Sequence, residues 1–133
     1  MDFEYVKVIK SDLDDIDEAV SFILGKLSSV IRDEELMFNI RIVINEIVIN
    51  SYEHGNKCNK EKGVNLKVCV NMDCIHINVK DEGDGINYIF NENKDINTTT
   101  SGRGLRIVKH LVDELEINNN EISAKIKCET DDV

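Results

Sequence analysis

Residues 40–55 read Ile-Arg-Ile-Val-Ile-Asn-Glu-Ile-Val-Ile-Asn-Ser-Tyr-Glu-His-Gly, and this stretch is the most informative part of the chain. Apolar residues occupy nearly every side of a helix drawn through it, which is typical of a buried helix. Glu46, Asn50 and Glu53 are spaced to share one helical face, with His54 beside them. Polar groups inside such a helix are costly unless they face water, metal or ligand. The pattern therefore indicates either a metal-and-nucleotide site or a polar stripe that faces solvent.

The chemistry of two of these side chains favours the first interpretation. The amide of Asn50 offers a carbonyl oxygen of the kind that hard cations bind. The carboxylate of Glu46 is suited to orient or deprotonate an attacking group. The helix alone does not decide between the two interpretations.

A second motif, Asp-Glu-Gly-Asp-Gly at residues 81–85, leaves the end of a predicted strand. Glycine allows a backbone to approach a ligand closely, and Asp81 can accept a hydrogen bond from an exocyclic amine such as that of adenine. An ordinary polar loop is the alternative. A calcium loop of the EF-hand type is disfavoured, because the twelve-residue ligand pattern does not continue from Asp81.

A third motif, Thr-Thr-Thr-Ser-Gly-Arg-Gly-Leu at residues 98–105, opens directly into a predicted helix. The first turn of a helix presents unpaired N–H groups and a positive dipole end, so this segment predicts a phosphate site. A flexible hinge capped by Ser101 is the alternative. The segment matches neither the Walker loop nor the dinucleotide-binding pattern of glycines.

The rest of the chain predicts a two-layer α+β sandwich, with a mixed, mostly antiparallel sheet and three helices on one face. Alternating apolar residues predict strands, and apolar residues three and four apart predict helices. Ser11 and Asp14 have the form of a capping box for the first helix. The predicted strands are 3–9, 64–72, 75–81, 115–117 and 121–128, and the predicted helices begin near 11, 33 and 105.

Composition and charge exclude several classes of function. The chain has 133 residues, 41% hydrophobic and 32% charged, which fits one domain over residues 1–133. Its net charge of -10 opposes non-specific binding to nucleic acid. No apolar run is long enough to span a membrane and no leader pattern begins the chain, so we expect a cytoplasmic protein that does not enter a membrane. The four cysteines form no C-x-x-C pair, and we expect reduced thiols.

Taken in order, the three motifs resemble the N box and the two glycine boxes of the GHKL (Bergerat-fold, histidine-kinase-like) ATPases. The short connecting segment and the absence of a phosphoacceptor-histidine helix pair look most like the anti-sigma-factor serine/threonine-protein kinases. This resemblance implies that ATP and Mg²⁺ are the cofactors. It also implies a regulator that phosphorylates a STAS-type anti-sigma antagonist, sequesters a sigma factor and forms a homodimer.

The resemblance further implies a role for each motif residue. Glu46 would act as the catalytic base, Asn50 would ligate Mg²⁺ and Asp81 would bind the adenine amine. The remaining nucleotide-binding residues are glycines and their neighbours: Gly83 and Gly85 at the adenine end, and Gly102, Arg103, Gly104 and Leu105 at the phosphate end.

Two other functions stay open on the sequence. The chain could be a non-catalytic binding module whose partner affinity is set by nucleotide. It could also be a stand-alone ATP-binding half of a two-component histidine kinase, which works with a separate phosphoacceptor protein.

Overall fold

The structure, a computed structural model, describes residues 3–71, 73–83 and 100–128, with side chains in the last range from Gly104 onward. The helices and strands follow one another as β1 (Phe3–Lys10), α1 (Leu13–Val30), α2 (Glu34–Asn50), a π-helical segment (Ser51–Gly55), β2 (Gly63–Val70), β3 (Cys74–Asp81), α3 (Thr100–Leu111), β4 (Glu114–Asn118) and β5 (Glu121–Lys127).

The five strands form one sheet in the order β1-β2-β3-β5-β4, and each of the four pairings is antiparallel. Side chains alternate along β2, where Val64, Leu66 and Val68 are fully buried while Asn65 and Lys67 are exposed. The buried face of the sheet and the apolar stripes of the helices share one hydrophobic core. The predicted α+β sandwich is confirmed.

Helix α2 lies at the centre of this core, as its composition predicts. Ile40, Val43, Ile44, Ile47 and Val48 are all fully buried. Asp33 caps its first turn by accepting hydrogen bonds from the backbone N–H groups of Glu35 and Leu36. The buried position of α2 carries its last polar residues into the protein interior.

The N-cap of α1 differs from the predicted capping box. Asp12 is the N-cap residue, and its Oδ1 accepts from the backbone N–H groups of Asp14 at 2.9 Å and Asp15 at 3.4 Å. Ser11 is instead fully buried, and its hydroxyl accepts a hydrogen bond from Asn56. Ser11 therefore makes a tertiary contact with Asn56, and Asp12 takes the capping role that the local pattern had assigned to Ser11.

Helix α3 begins at Thr100, five residues before the predicted start near 105, and ends at Leu111. Gly102 and Gly104 had suggested a loop because glycine disfavours a helix interior. Both lie within the helix. The chain turns between β4 and β5, where Asn119 adopts a positive φ of 55° that asparagine tolerates.

Among the residues that the structure describes, no helix has both the length and the apolar character needed to cross a membrane.

Candidate functional site

The π-helical segment at the end of α2 changes how the polar residues of the first motif are placed. Asn50 is buried and Glu46 is half-buried, whereas Glu53 and His54 are exposed. Nε2 of His54 lies 3.7 Å from Oε2 of Glu53, on the surface. Glu53 and His54 lie within this π-helical segment, beyond the end of α2, and both reach solvent. The predicted single polar face is therefore limited to Glu46 and Asn50.

Asn50 presents an unpaired acceptor in the protein interior. Its side chain is 5% exposed, and its Oδ1 has no hydrogen-bond partner among the described residues. A buried carbonyl oxygen without a partner is costly unless a water, cation or ligand satisfies it. The amide oxygen thus fits a hard cation such as Mg²⁺, which takes oxygen ligands and is held by few protein groups.

Asp81, the last residue of β3, presents a second unpaired acceptor. It is 2% exposed; its Oδ1 accepts a hydrogen bond from the backbone N–H of Gly83 at 2.7 Å, and its Oδ2 has no partner among the described residues. Burial raises the pKa of this carboxyl, while the Gly83 N–H and the charge of Lys62 act in the opposite direction. The second oxygen is chemically suited to accept from an amine.

Two glycines surround the Asp81 carboxylate. A β-carbon at position 55 would overlap the carboxylate of Asp81, and one at position 83 would overlap the backbone oxygen of Gly55. The end of the first motif and the start of the second therefore meet in direct contact. Only residues without a side chain fit at these two positions.

The first and third motifs also meet. A β-carbon at Gly104 would overlap Oε2 of Glu46, so the first turns of α3 lie against the Glu46 carboxylate. Leu105 is 1% exposed in the hydrophobic core, so any ligand contact at this position falls to its backbone. Gly102 and Arg103 are described here only as helical backbone, and Gly85 lies outside the described residues.

The comparison with protein families agrees with this arrangement. The profile of the histidine kinase-like ATPase domain matches residues 9–126, which is most of the chain. The chain belongs to the histidine kinase-like ATPase family. Membership of this family implies that the domain binds ATP.

The chain is also similar to anti-sigma F factors. An anti-sigma F factor of Bacillus cytotoxicus is 32% identical over 92 residues, and one of Bacillus thuringiensis is 30% identical over the same length. Each match covers 65% of this chain and 63% of the relative, so this histidine kinase-like ATPase domain spans under two thirds of the curated relatives that it matches.

Sequence reasoning missed one residue of this ATPase domain that the structure places at the junction of the motifs. Asn56 directly follows the first motif, is 1% exposed, and accepts at Oδ1 from the backbone N–H of Glu82 at 2.8 Å. Asn56 lies between a predicted helix and a predicted strand, so no periodic pattern in the sequence indicates that its side chain is buried. Asn59, three residues later, is likewise an asparagine followed by a lysine, yet it is exposed. The local sequence therefore does not distinguish the buried asparagine from the exposed one.

Proposed function

We propose that this chain is a cytoplasmic, ATP-binding anti-sigma regulator, folded as one domain over residues 1–133, with serine/threonine protein kinase activity. The observation that carries the proposal is a pair of buried acceptor oxygens, on Asn50 and Asp81, that have no hydrogen-bond partner among the described residues and stand one in each of the first two motifs. The anti-sigma F factors among the relatives support the regulatory role.

In this proposal each motif binds a different part of the nucleotide. Oδ2 of Asp81 accepts a hydrogen bond from the adenine amine, and Oδ1 of Asn50 is a ligand of the Mg²⁺ bound with the phosphates. Mg²⁺ supplies charge neutralisation at the phosphates. Gly83 and Gly85 shape the adenine end, and Gly102, Arg103, Gly104 and Leu105 line the phosphate end.

Glu46 carries the proposed chemistry. Its carboxylate lies against Gly104 at the start of α3, the segment assigned to the phosphates. It accepts the proton of a serine or threonine hydroxyl as that oxygen bonds to the γ-phosphorus and the bond to the ADP oxygen breaks. The substrate in this proposal is a STAS-type anti-sigma antagonist, and the same chain separately sequesters a sigma factor.

A homodimer completes the proposal, and the edge of the sheet supports it. Strand β1 is an edge strand whose Val6 and Val8 are 60% and 65% exposed. Two copies of β1 paired antiparallel about Lys7 place Glu4 opposite Lys10 and Val6 opposite Val8, since a two-fold axis pairs position i with 14 minus i. The opposite edge, β4, is shorter and carries Glu114 and Glu116 on one face. On the face that carries Glu4, Val6, Val8 and Lys10, charge and apolar surface are therefore self-complementary, while the two Lys7 side chains lie opposite each other at the axis on the other face.

The proposal is tested first by ligand-dependent unfolding. Saturating Mg·ADP at about 100 times its dissociation constant should add roughly 2.7 kcal/mol to the free energy of unfolding. Asn50→Ala should lose the Mg²⁺-dependent part of this gain. Asn45→Ala, an exposed asparagine on the same helix, is the matched control and should keep it. No gain in the wild-type protein would refute the nucleotide site.

The second test is phosphate transfer from labelled Mg·ATP to a STAS-type antagonist. The proposal expects acid-stable phosphate on serine or threonine, lost in Glu46→Gln while Mg·ADP binding remains. Nucleotide binding with no transfer, and regulation retained in Glu46→Gln, would instead identify a nucleotide-gated binding module. Acid-labile phosphate on a partner histidine would identify the ATP-binding half of a two-component kinase.

A further inference from the structure

Asn56 joins four separate segments of the chain through its side chain and backbone. Its Nδ2 donates to Oγ of Ser11 at 2.9 Å and to the backbone oxygen of Gly63 at 2.9 Å. Its Oδ1 accepts from the backbone N–H of Glu82 at 2.8 Å, and its own N–H donates to the oxygen of Ser51 at 2.8 Å. Both amide hydrogens and the amide oxygen are thus used in a residue that is 1% exposed.

The contacts of Asn56 form a closed ring with two of these residues. Asn56 bonds to Gly63 and to Glu82, and the backbone N–H of Gly63 donates in turn to the carboxylate of Glu82. A ring of this kind fixes the position of Glu82 more firmly than one hydrogen bond would. Glu82 is the residue between Asp81 and Gly83, so the ring also fixes the path of the chain directly after Asp81.

A second asparagine holds Asp81 on its other side. The backbone N–H of Asp81 donates to the oxygen of Asn120 at 2.9 Å, and Nδ2 of Asn120 donates to the backbone oxygen of Asp81. Asn120 lies in the turn between β4 and β5. Both asparagines lie outside the three sequence motifs, and together they hold the backbone on each side of a carboxylate whose Oδ2 is unpartnered among the described residues.

We propose that Asn56, assisted by Asn120, is a positioning residue that sets the preference of this site for a base with an exocyclic amine. The inference rests on the proposed nucleotide site. Hydrogen bonds weaken steeply with poor distance and angle, so a small shift of Asp81 removes its discrimination between an amine and a carbonyl. Asn56 acts through Glu82 and the Asp81 backbone and makes no contact with the base.

The test compares ADP with inosine diphosphate, which carries a carbonyl oxygen where adenine has its amine. With inosine diphosphate, Oδ2 of Asp81 would face that carbonyl oxygen and would remain buried without a hydrogen-bond donor. The wild-type protein should therefore prefer ADP by about tenfold or more. Asn56→Ala should reduce this preference to about threefold or less, since the Glu82 N–H loses its partner. The affinity for Mg²⁺-pyrophosphate, which lacks the base, should stay within about twofold of wild type.

Ser11→Ala is the matched control for stability. It removes one hydrogen bond of Asn56 but leaves the bond to Glu82 in place. It should lower the midpoint of thermal unfolding and keep the wild-type preference for ADP. Should Asn56→Ala fail to fold, Asn120→Ala, in a hairpin turn, tests the same positioning and should also reduce the preference.

Three outcomes separate the possibilities. An unchanged preference in folded Asn56→Ala, or in Asn120→Ala if the former does not fold, overturns the inference while the nucleotide site stands. A preference that falls equally in Ser11→Ala also overturns it, because general loosening of the fold would then be the cause. Wild-type protein that binds neither diphosphate refutes the proposed function itself.

Discussion

The carboxylate of Glu46 lies so close to the α-carbon of Gly104 that a β-carbon at position 104 would overlap its Oε2. Gly104 lies in the second turn of α3, and Glu46 lies in α2. The contact joins the proposed catalytic base to the segment proposed to bind phosphate. It makes Gly104 a position where a single methyl group tests the geometry of the site.

Gly104→Ala should separate catalysis from stability. The overlapping atom is the end of a flexible side chain, so Glu46 can move aside, and alanine favours a helix over glycine by about 0.5–1 kcal/mol. We expect the free energy of unfolding to stay within about 1 kcal/mol of wild type. Phosphate transfer should fall by about tenfold or more, because the base is displaced.

Gly25→Ala is the control for Gly104→Ala. Gly25 lies inside α1, where an added β-carbon meets nothing within 4 Å. The helix gain of about 0.5–1 kcal/mol should therefore appear with phosphate transfer unchanged. Chemical denaturation and a transfer assay on both variants measure the two effects. Full transfer activity in Gly104→Ala would show that Glu46 needs no fixed position.

Gly83→Ala should damage both the fold and nucleotide binding. The added β-carbon would overlap the backbone oxygen of Gly55, and backbone cannot move aside as a flexible side chain can. We expect a loss of about 1–3 kcal/mol in the free energy of unfolding, together with loss of the stabilisation by ADP.

Gly63→Ala gives the comparison for that substitution. Its β-carbon would approach Cγ1 of Val8 at 3.2 Å, Oε2 of Glu82 at 3.4 Å and the backbone oxygen of Ile9 at 3.5 Å, so the exposed Val8 side chain need shift by only a few tenths of an ångström and the backbone bonds of Gly63 remain. This variant should lose less than about 1 kcal/mol and keep ADP binding. Equal losses in the two variants, measured by denaturant unfolding with and without ADP, would contradict the tight contact between Gly55 and Gly83.

Asp81→Asn should stabilise the nucleotide-free protein while it weakens nucleotide binding. The pKa of Asp81 is raised by burial, so the folded state favours the neutral carboxyl. Its contribution to stability therefore decreases as pH rises from the ordinary value of 3.8 through the raised pKa. An uncharged amide removes this cost, and we expect a gain of about 1 kcal/mol at pH 7.5 that shrinks toward pH 4.5.

Denaturant unfolding at the two pH values measures this gain. ADP affinity should fall by about tenfold or more, since an amide N–H would then oppose the base amine. Asp17→Asn, on the exposed surface of α1 and outside the three motifs, removes one negative charge and serves as the control. A variant that is less stable than wild type at pH 7.5 would show that the Asp81 carboxylate is satisfied in the folded protein.

The sequence predicted the elements that follow from regular spacing and could not predict those that follow from tertiary contact. Alternation and helical periodicity are local, so α2, β2 and β3 were predicted within a few residues of their bounds. The early start of α3 was missed because its glycines indicated a loop. One of them, Gly104, is needed for the approach of α3 to Glu46, which no local pattern shows.

The same distinction applies to the candidate site. Asn50 is predicted as a site residue because it is a polar group in a helix that should be buried, and Asp81 because it ends a strand before two closely spaced glycines; both are buried. Ser11 was assigned to a helix cap, which is the usual role of serine before a helix. Its true partner, Asn56, is 45 residues away in sequence. A contact at that separation leaves no periodic signal in a single sequence.

The proposed homodimer makes a prediction from charge alone. Two β1 strands paired about Lys7 bring Glu4 of one copy opposite Lys10 of the other, twice in each interface. Both side chains are exposed on the face of the sheet that also carries Val6 and Val8. Glu4→Lys or Lys10→Glu each leaves only like charges in these pairs, which destabilises strand pairing. We expect each variant to be monomeric in light-scattering measurements at concentrations where wild type is a dimer.

Mixing the two variants should restore the dimer. In the mixed pair, position 4 of the E4K chain is positive and faces the negative position 10 of the K10E chain. The unchanged Lys10 of the first chain faces the unchanged Glu4 of the second, so both contacts are attractive. The double variant E4K/K10E should also dimerise by itself. Dimers that persist in both single variants would place the interface away from β1. Because the effect is electrostatic, the recovery in the mixture should weaken as salt is raised well above about 0.15 M, where charges are more strongly screened.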